Sequence, residues 1–219
     1  MQPNPHLLSI QIGTVMQYGT ANASDPHDRE WRTAFFKTPV AGPVEVNSQG
    51  ILGDEQADRE NHGARDKAVL LYAAEHYALW QQELNLPAMP CGGFGENFTI
   101  TALDESNVCV GDTWSLGNVV LQVSQPRQPC WKLARRWRMK ELPALVIENH
   151  RSGWYCRVLQ PGQIAIGQEL TLLARPHAEW TIARASDVMY REKNNIPLSH
   201  ALAALPELAK SWQAELASR

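Results

Sequence analysis

Short runs of alternating or clustered apolar residues fill the first 175 positions, and three- and four-residue spacing takes over after them. Leu8, Ile10 and Ile12 alternate with polar neighbours and predict an opening strand within Leu7–Gln17. Trp31–Lys37, Val44–Val46 and Ala68–Tyr72 read as further strands, each closed by Gly, Pro or Asn/Ser punctuation. Trp114–Val123 predicts two strands joined by a hairpin at Gly117-Asn118. Gly153–Leu159, Gln163–Ile166 and Glu169–Ala174 complete the set. Ala73–Leu84 is the clearest early helix, with Ala74, Tyr77, Ala78 and Trp80 at helical spacing. Leu142–Asn149 is apolar and fits either state.

The pattern changes at Arg175-Pro176-His177. Thr181 is placed to cap a helix over 182–192, Ser199 to cap an Ala/Leu stretch that ends at Pro206, and Leu208, Trp212 and Leu216 form a stripe at four-residue spacing. Helices this short need a surface to pack on. Roughly ten short strands with few helices between them predict a mainly β fold, a closed β-barrel over residues 1–175, rather than a βα-alternating sheet. A three-helix subdomain over 180–219 follows a linker near 175–180. The stripe either packs on its own barrel, the better reading, or serves as a docking surface for a partner or a second copy.

Composition narrows the classes. With 44% apolar and 20% charged residues the chain has the make-up of a globular protein able to bury a core. A net charge of −3 gives no electrostatic case for nucleic acid or an anionic membrane, and no stretch reaches the roughly 18 apolar residues of a membrane span. Residues 1–5 lack the cationic head and apolar run of an export signal, so a cytoplasmic location is expected. Cys91, Cys109, Cys130 and Cys156 lie 18, 21 and 26 apart without a CxxC pair, which argues against structural zinc and a dithiol site and fits free thiols in a reducing compartment.

Cys109 and Cys156 sit in apolar strand settings and read as core; Cys91 sits in a glycine-rich loop, CGGFGENF, without the spacing of a nucleotide cradle. Cys130 differs. Val119–Val123 runs into Ser124-Gln125-Pro126-Arg127-Gln128-Pro129-Cys130, where the two prolines stiffen the chain. A helix over Trp131–Arg136 can begin directly after the thiol, and a helix N-terminus with nearby cations favours the thiolate. Buried inert thiols are the common case; two prolines, an arginine and a cationic segment around one thiol set Cys130 apart. The second landmark is 50–72, dense in charge before an apolar strand; most of its side chains read as a solvated, self-paired turn. His62, between Asn61 and Gly63, is the exception singled out, though a lone histidine is more often structural.

Together the motifs KTPV (37–40), GxxGDxQAD (50–58), HG-x-x-DKAV (62–69), GFGEN (93–97), Gly111-Asp112 and SQPRxPCxKL (124–133) resemble the MOSC domain, the C-terminal domain of molybdenum cofactor sulfurases, also found in stand-alone bacterial proteins. The tail from 180 is similar to the three-helix domain that accompanies the YiiM-like stand-alone group. One departure is Ala64, where relatives usually carry a second glycine. The resemblance implies a barrel like that of the pyruvate kinase barrel domain, with Cys130 as catalytic residue and molybdenum ligand in a pterin cofactor, independent of pyridoxal phosphate. It further implies reduction of N-hydroxylated small molecules, such as 6-hydroxylaminopurine and related hydroxylamines or amidoximes, to the amine. Electrons would come from a separate flavin or iron–sulfur reductase, and a homodimer is compatible. By residue type, Arg127, Lys67, Arg65, Lys132 and the segment to Arg136 are the candidate phosphate donors, and Asn97, Glu96 and His62 candidate pterin or substrate contacts. A carrier of persulfide or cofactor on Cys130 is the alternative.

Overall fold

The structure is a computed structural model that describes residues 4–58, 64–86 and 88–219. Thirteen strands and six α-helices are assigned among them. The strands are β1 (Leu7–Ile12), β2 (Met16–Tyr18), β3 (Trp31–Thr33), β4 (Thr38–Pro39), β5 (Val44–Asn47), β6 (Gly50–Ile51), β7 (Val69–Ala73), β8 (Phe98–Ile100), β9 (Thr113–Leu116), β10 (Val119–Pro126), β11 (Trp154–Gln160), β12 (Gly162–Ile164) and β13 (Leu170–Ala174). The helices are α1 (Glu75–Leu84), α2 (Trp131–Trp137), α3 (Leu142–Glu148), α4 (Ile182–Tyr190), α5 (Ile196–Ala203) and α6 (Lys210–Ala217). The ambiguous run after residue 141 is therefore helical, with Pro143 in its first turn, where a missing N–H costs nothing.

Eight strands form one sheet in the order β13-β9-β10-β11-β7-β8-β1-β4, antiparallel except for the parallel pair β7–β8. β7 lies between β11 and β8, and its five residues, Val-Leu-Leu-Tyr-Ala, are all buried, which explains an unbroken apolar run without alternation. The closed barrel expected from the sequence is not built from continuous ladders: β4 is two residues long and ends at Pro39, which has no N–H to extend an edge. The opposite end of the sheet instead reaches β1 at one point. His6 bridges Glu169, and Leu7 N–H and Leu170 N–H donate to Gln168 and Pro5 carbonyls, both at 2.9 Å. The result is a mixed sheet, curled until the β13 edge meets the start of β1 at one isolated bridge, with helices around it.

The three tail helices close the core. Thr181 caps α4 as expected, its hydroxyl accepting from Arg184 N–H at 3.1 Å. α5 starts earlier than Ser199 predicted: Asn195 is its cap, with Pro197 in the first turn, and Ser199 is buried inside the helix. Leu208, Trp212 and Leu216 are buried and share one apolar cluster with Leu7, Val123 and Trp154 of the sheet. A second cluster, containing Tyr72, Trp80, Phe94 and Leu133, packs α1, α2 and the glycine-rich loop together. Among the described residues no helix is long and apolar enough to cross a membrane.

Because the tail shares the core of the sheet, both should unfold together. Trp212→Ala is expected to lower the stability of the whole chain by about 3–5 kcal/mol, with coincident transitions by circular dichroism and tryptophan fluorescence in urea. Loss of helical signal ahead of an unmoved second transition would show a separately folding tail.

Candidate functional site

β10 carries the thiol to its place. Its pairing with β11 runs to Gln125↔Tyr155 and Pro126↔Trp154, and Arg127 N–H then donates to the Gly153 carbonyl at 3.0 Å. Gly153 adopts φ +75°, and a Cβ there would lie 2.4 Å from the Leu71 carbonyl oxygen, so only glycine fits this crossing. Cys130 follows in extended geometry (φ −118°, ψ 168°) as the N-cap of α2, its carbonyl accepting from Leu133 N–H at 3.1 Å. Its half-buried thiol lines a cleft that is partly open to solvent.

The cleft is built from the segments 33–37, 54–57, 67–70, 94–97 and 127–132, with Tyr155 beside them. Four of the cofactor candidates meet there: Arg127, Lys67, Asn97 and Lys132. Arg127 is 3% exposed. Its Nη2 donates to the Phe94 carbonyl at 3.1 Å, and its Nη1 is buried with no hydrogen-bond partner among the described residues. A shielded guanidinium nitrogen left open beside a thiol suits an anionic group of a bound ligand. Lys67 lies 6.0 Å from the Tyr155 ring centroid; burial pulls its amine pKa down, against the attraction of Asp58 and Asp66. Burial also raises the Tyr155 hydroxyl to about 12, so this phenol stays protonated at physiological pH.

The other candidates are placed differently. Arg65 is exposed and does not line the cleft. His62 lies outside the described residues. Ala64, the departure from the motif, has φ −68° and ψ 156°, an extended conformation that needs no glycine. Glu96 is fully buried behind the cleft: its carboxylate accepts from Gly92 N–H (2.6 Å), Phe94 N–H (3.1 Å), Thr99 Oγ1 (2.8 Å) and the Tyr77 hydroxyl, so it holds the glycine-rich loop. The cationic segment after Cys130 also divides. Arg135 turns to the Trp31 ring (4.8 Å) and the His27 carbonyl, and Arg136 donates to the Phe35 and Gly92 carbonyls at 3.1 and 2.8 Å.

The floor of the cleft holds residues that the sequence did not single out. Lys37 and Asp54 form a buried ion pair, with side chains 8% and 3% exposed, where a solvated turn was expected. Asp54 also accepts from Gly13 N–H at 2.8 Å and from Asn97 Nδ2 at 2.9 Å, while Asn97 Oδ1 accepts from Leu70 N–H at 3.1 Å. Both residues fall within the quoted motifs, KTPV and GxxGDxQAD, and that was the available signal. At Gly95 (φ +76°) a Cβ would sit 2.7 Å from the Phe35 ring, so the aromatic wall requires glycine there.

A profile of the MOSC domain matches residues 58–171, and one of the YiiM-like 3-alpha helix domain matches 180–219. The chain is 39% identical over 182 residues to the uncharacterized protein YflK of Bacillus subtilis, covering 83% of this chain and 82% of that one. It is 36% identical over 181 residues to a protein named "Reductase" from Gibberella moniliformis, covering 81% of this chain but 32% of that longer protein. The crystal structure of YiiM from Geobacillus stearothermophilus superposes with a TM-score of 0.81 at 34% identity over 98% of both chains.

Burial lowers the Lys37 pKa in spite of Asp54, so the folded chain binds fewer protons than the unfolded one just below the usual 10.5, and stability should rise as pH climbs through that window. Asp54→Asn leaves the ammonium buried without its counter-charge. It is expected to cost about 3–5 kcal/mol in urea unfolding at pH 7, with a steeper alkaline gain than wild type. A cost within experimental error would mean that the pair does not organise the floor.

Proposed function

The chain belongs to the MOSC domain family, and we propose that it is a molybdenum-cofactor-dependent reductase of N-hydroxylated small molecules, hydroxylamino-purines among them. Family membership and the name of one relative support a molybdenum-cofactor-associated function in general. The observation that carries the finer reading is the meeting, in one cleft, of the half-buried Cys130 thiol and the Nη1 of buried Arg127, which has no hydrogen-bond partner among the described residues. A soft thiolate suits a sulfur-coordinated metal, and an open guanidinium nitrogen suits a phosphate. The residues present therefore fit a molybdenum pterin that carries a phosphate.

When bound, the cofactor supplies an oxygen acceptor and a two-electron couple: R–NHOH, two protons and two electrons give R–NH2 and water, the electrons coming from a flavin or iron–sulfur reductase. The chain's own residues hold and orient. Cys130 would bind the metal, and Arg127, with Lys67 and Lys132 beside it, would neutralise the phosphate. Phe35 and Phe94 exclude water from one wall, which strengthens each charge contact inside. Lys37, Asp54 and Asn97 keep the floor polar but internally satisfied, so they shape the cleft without competing for the phosphate.

Reconstituted with cofactor and an electron-donating reductase, the wild type is expected to convert 6-hydroxylaminopurine to adenine over many cycles. Cys130→Ser should lower turnover by about a thousandfold or more, the scale on which removal of an essential group acts. Turnover by Cys130→Ser at the wild-type rate would exclude the thiol from the reaction. One stoichiometric release of sulfur without turnover would point to the carrier instead.

A further inference from the structure

The end of the tail and the wall of the cleft meet at one carboxylate. Asp66 sits in a 3-10 turn, Arg65–Lys67, immediately before the cleft residue Lys67. Its Oδ1 receives Arg157 Nε at 2.9 Å and Nη2 at 2.8 Å, from β11. Its Oδ2 receives the backbone N–H of Lys210, the first residue of α6, at 3.1 Å. Its own carbonyl accepts the hydroxyl of Ser124, which is fully buried on β10. The Ser124 carbonyl in turn accepts Ala209 N–H at 2.9 Å, and Ser124 Oγ also reaches the Tyr155 carbonyl at 3.0 Å. Two adjacent residues of the tail, 209 and 210, are thus bonded to the strand that leads to Arg127 and to the turn that carries Lys67.

We infer that Asp66 is a positioning residue through which the N-terminus of α6 fixes Lys67 in the cleft, so that the three-helix tail is a brace for the site. This rests on the reading of the cleft as the cofactor site. Within the turn Lys67 N–H donates to the Ala64 carbonyl, and a turn this short gains order from bonds to other parts of the chain. Arg157 holds one carboxylate oxygen; the other is held from the tail.

Position 210 allows the tail's hold on Asp66 to be broken. It is the first helical residue after Ala209, whose φ −57° and ψ 138° suit a following proline, and proline is favoured at that place in a helix. Lys210→Pro replaces the N–H that meets Asp66 with a ring methylene, so the tail no longer holds that carboxylate oxygen, while Ala209 keeps its own N–H for Ser124. Lys210→Ala keeps the N–H and loses only the exposed ammonium that meets Gln213. In hydrogen–deuterium exchange of the full chain, amides of 64–68 should exchange about tenfold faster in Lys210→Pro than in Lys210→Ala, the scale of one bond to a charged acceptor, with α4 and α5 unchanged. Pterin per chain after expression in a cofactor-competent host should fall in the same variant and not in Lys210→Ala. Equal exchange at 64–68 in the two variants overturns the inference. So does faster exchange with undiminished pterin. A wild type without pterin defeats the cofactor reading, while the exchange comparison still decides whether the tail orders this turn.

Discussion

The buried Lys37–Asp54 pair is the constraint on which the cleft depends. An ion pair removed from water is tolerated only when its remaining lone pairs and protons are satisfied, and here the partners come from remote parts of the chain: Gly13 at the end of β1 and Asn97 before β8. Asn97 passes the constraint on, because its side-chain oxygen takes the Leu70 N–H of β7 and its backbone bonds Gln11 and Leu70. One charge pair therefore sets the mutual positions of four segments, and the aromatic wall of Phe35 and Phe94 stands on two of them.

On the opposite side, the chain solves a different problem, holding a thiol at the end of a strand without burying it. β10 stays paired through Pro126, Arg127 adds one more backbone bond to Gly153, and the thiol emerges where α2 begins. Behind this arm the tail helices complete the apolar core and bond back to Ser124 and Asp66. The helices are too short to persist alone, so packing against the sheet gives them their order and in return fixes the turn beside Lys67.

Much of this was legible wherever local rules decide. The hairpin at Gly117-Asn118, the α4 cap at Thr181 and the emergence of Cys130 before a helix follow from residue type and spacing over a few positions. The misreadings have common physical causes. Arg135 and Arg136 sit side by side in sequence but project about 100° apart on a helix, so a run of cations did not become a shared phosphate cradle. Glu96 reads by residue type as a pterin or substrate contact, yet backbone N–H groups of the glycine-rich loop take up its carboxylate. The burial of Asp54 depends on three distant segments, which no local pattern reports; the family motifs marked the position without giving the reason. The mainly β character was legible, whereas the sheet is not a closed barrel: its far edge reaches the start of β1 through the His6–Glu169 bridge, a contact between distant positions that no local pattern reports.

The central claim is that Cys130 holds a molybdenum pterin in the cleft floored by Lys37 and Asp54. The most direct test is the molybdenum and pterin content of wild type beside Cys130→Ala, both expressed in a host that makes the cofactor. Metal and pterin near one per chain in the wild type and lost from the folded variant is the predicted result. Equal content in the two proteins, whether full or negligible, would contradict it.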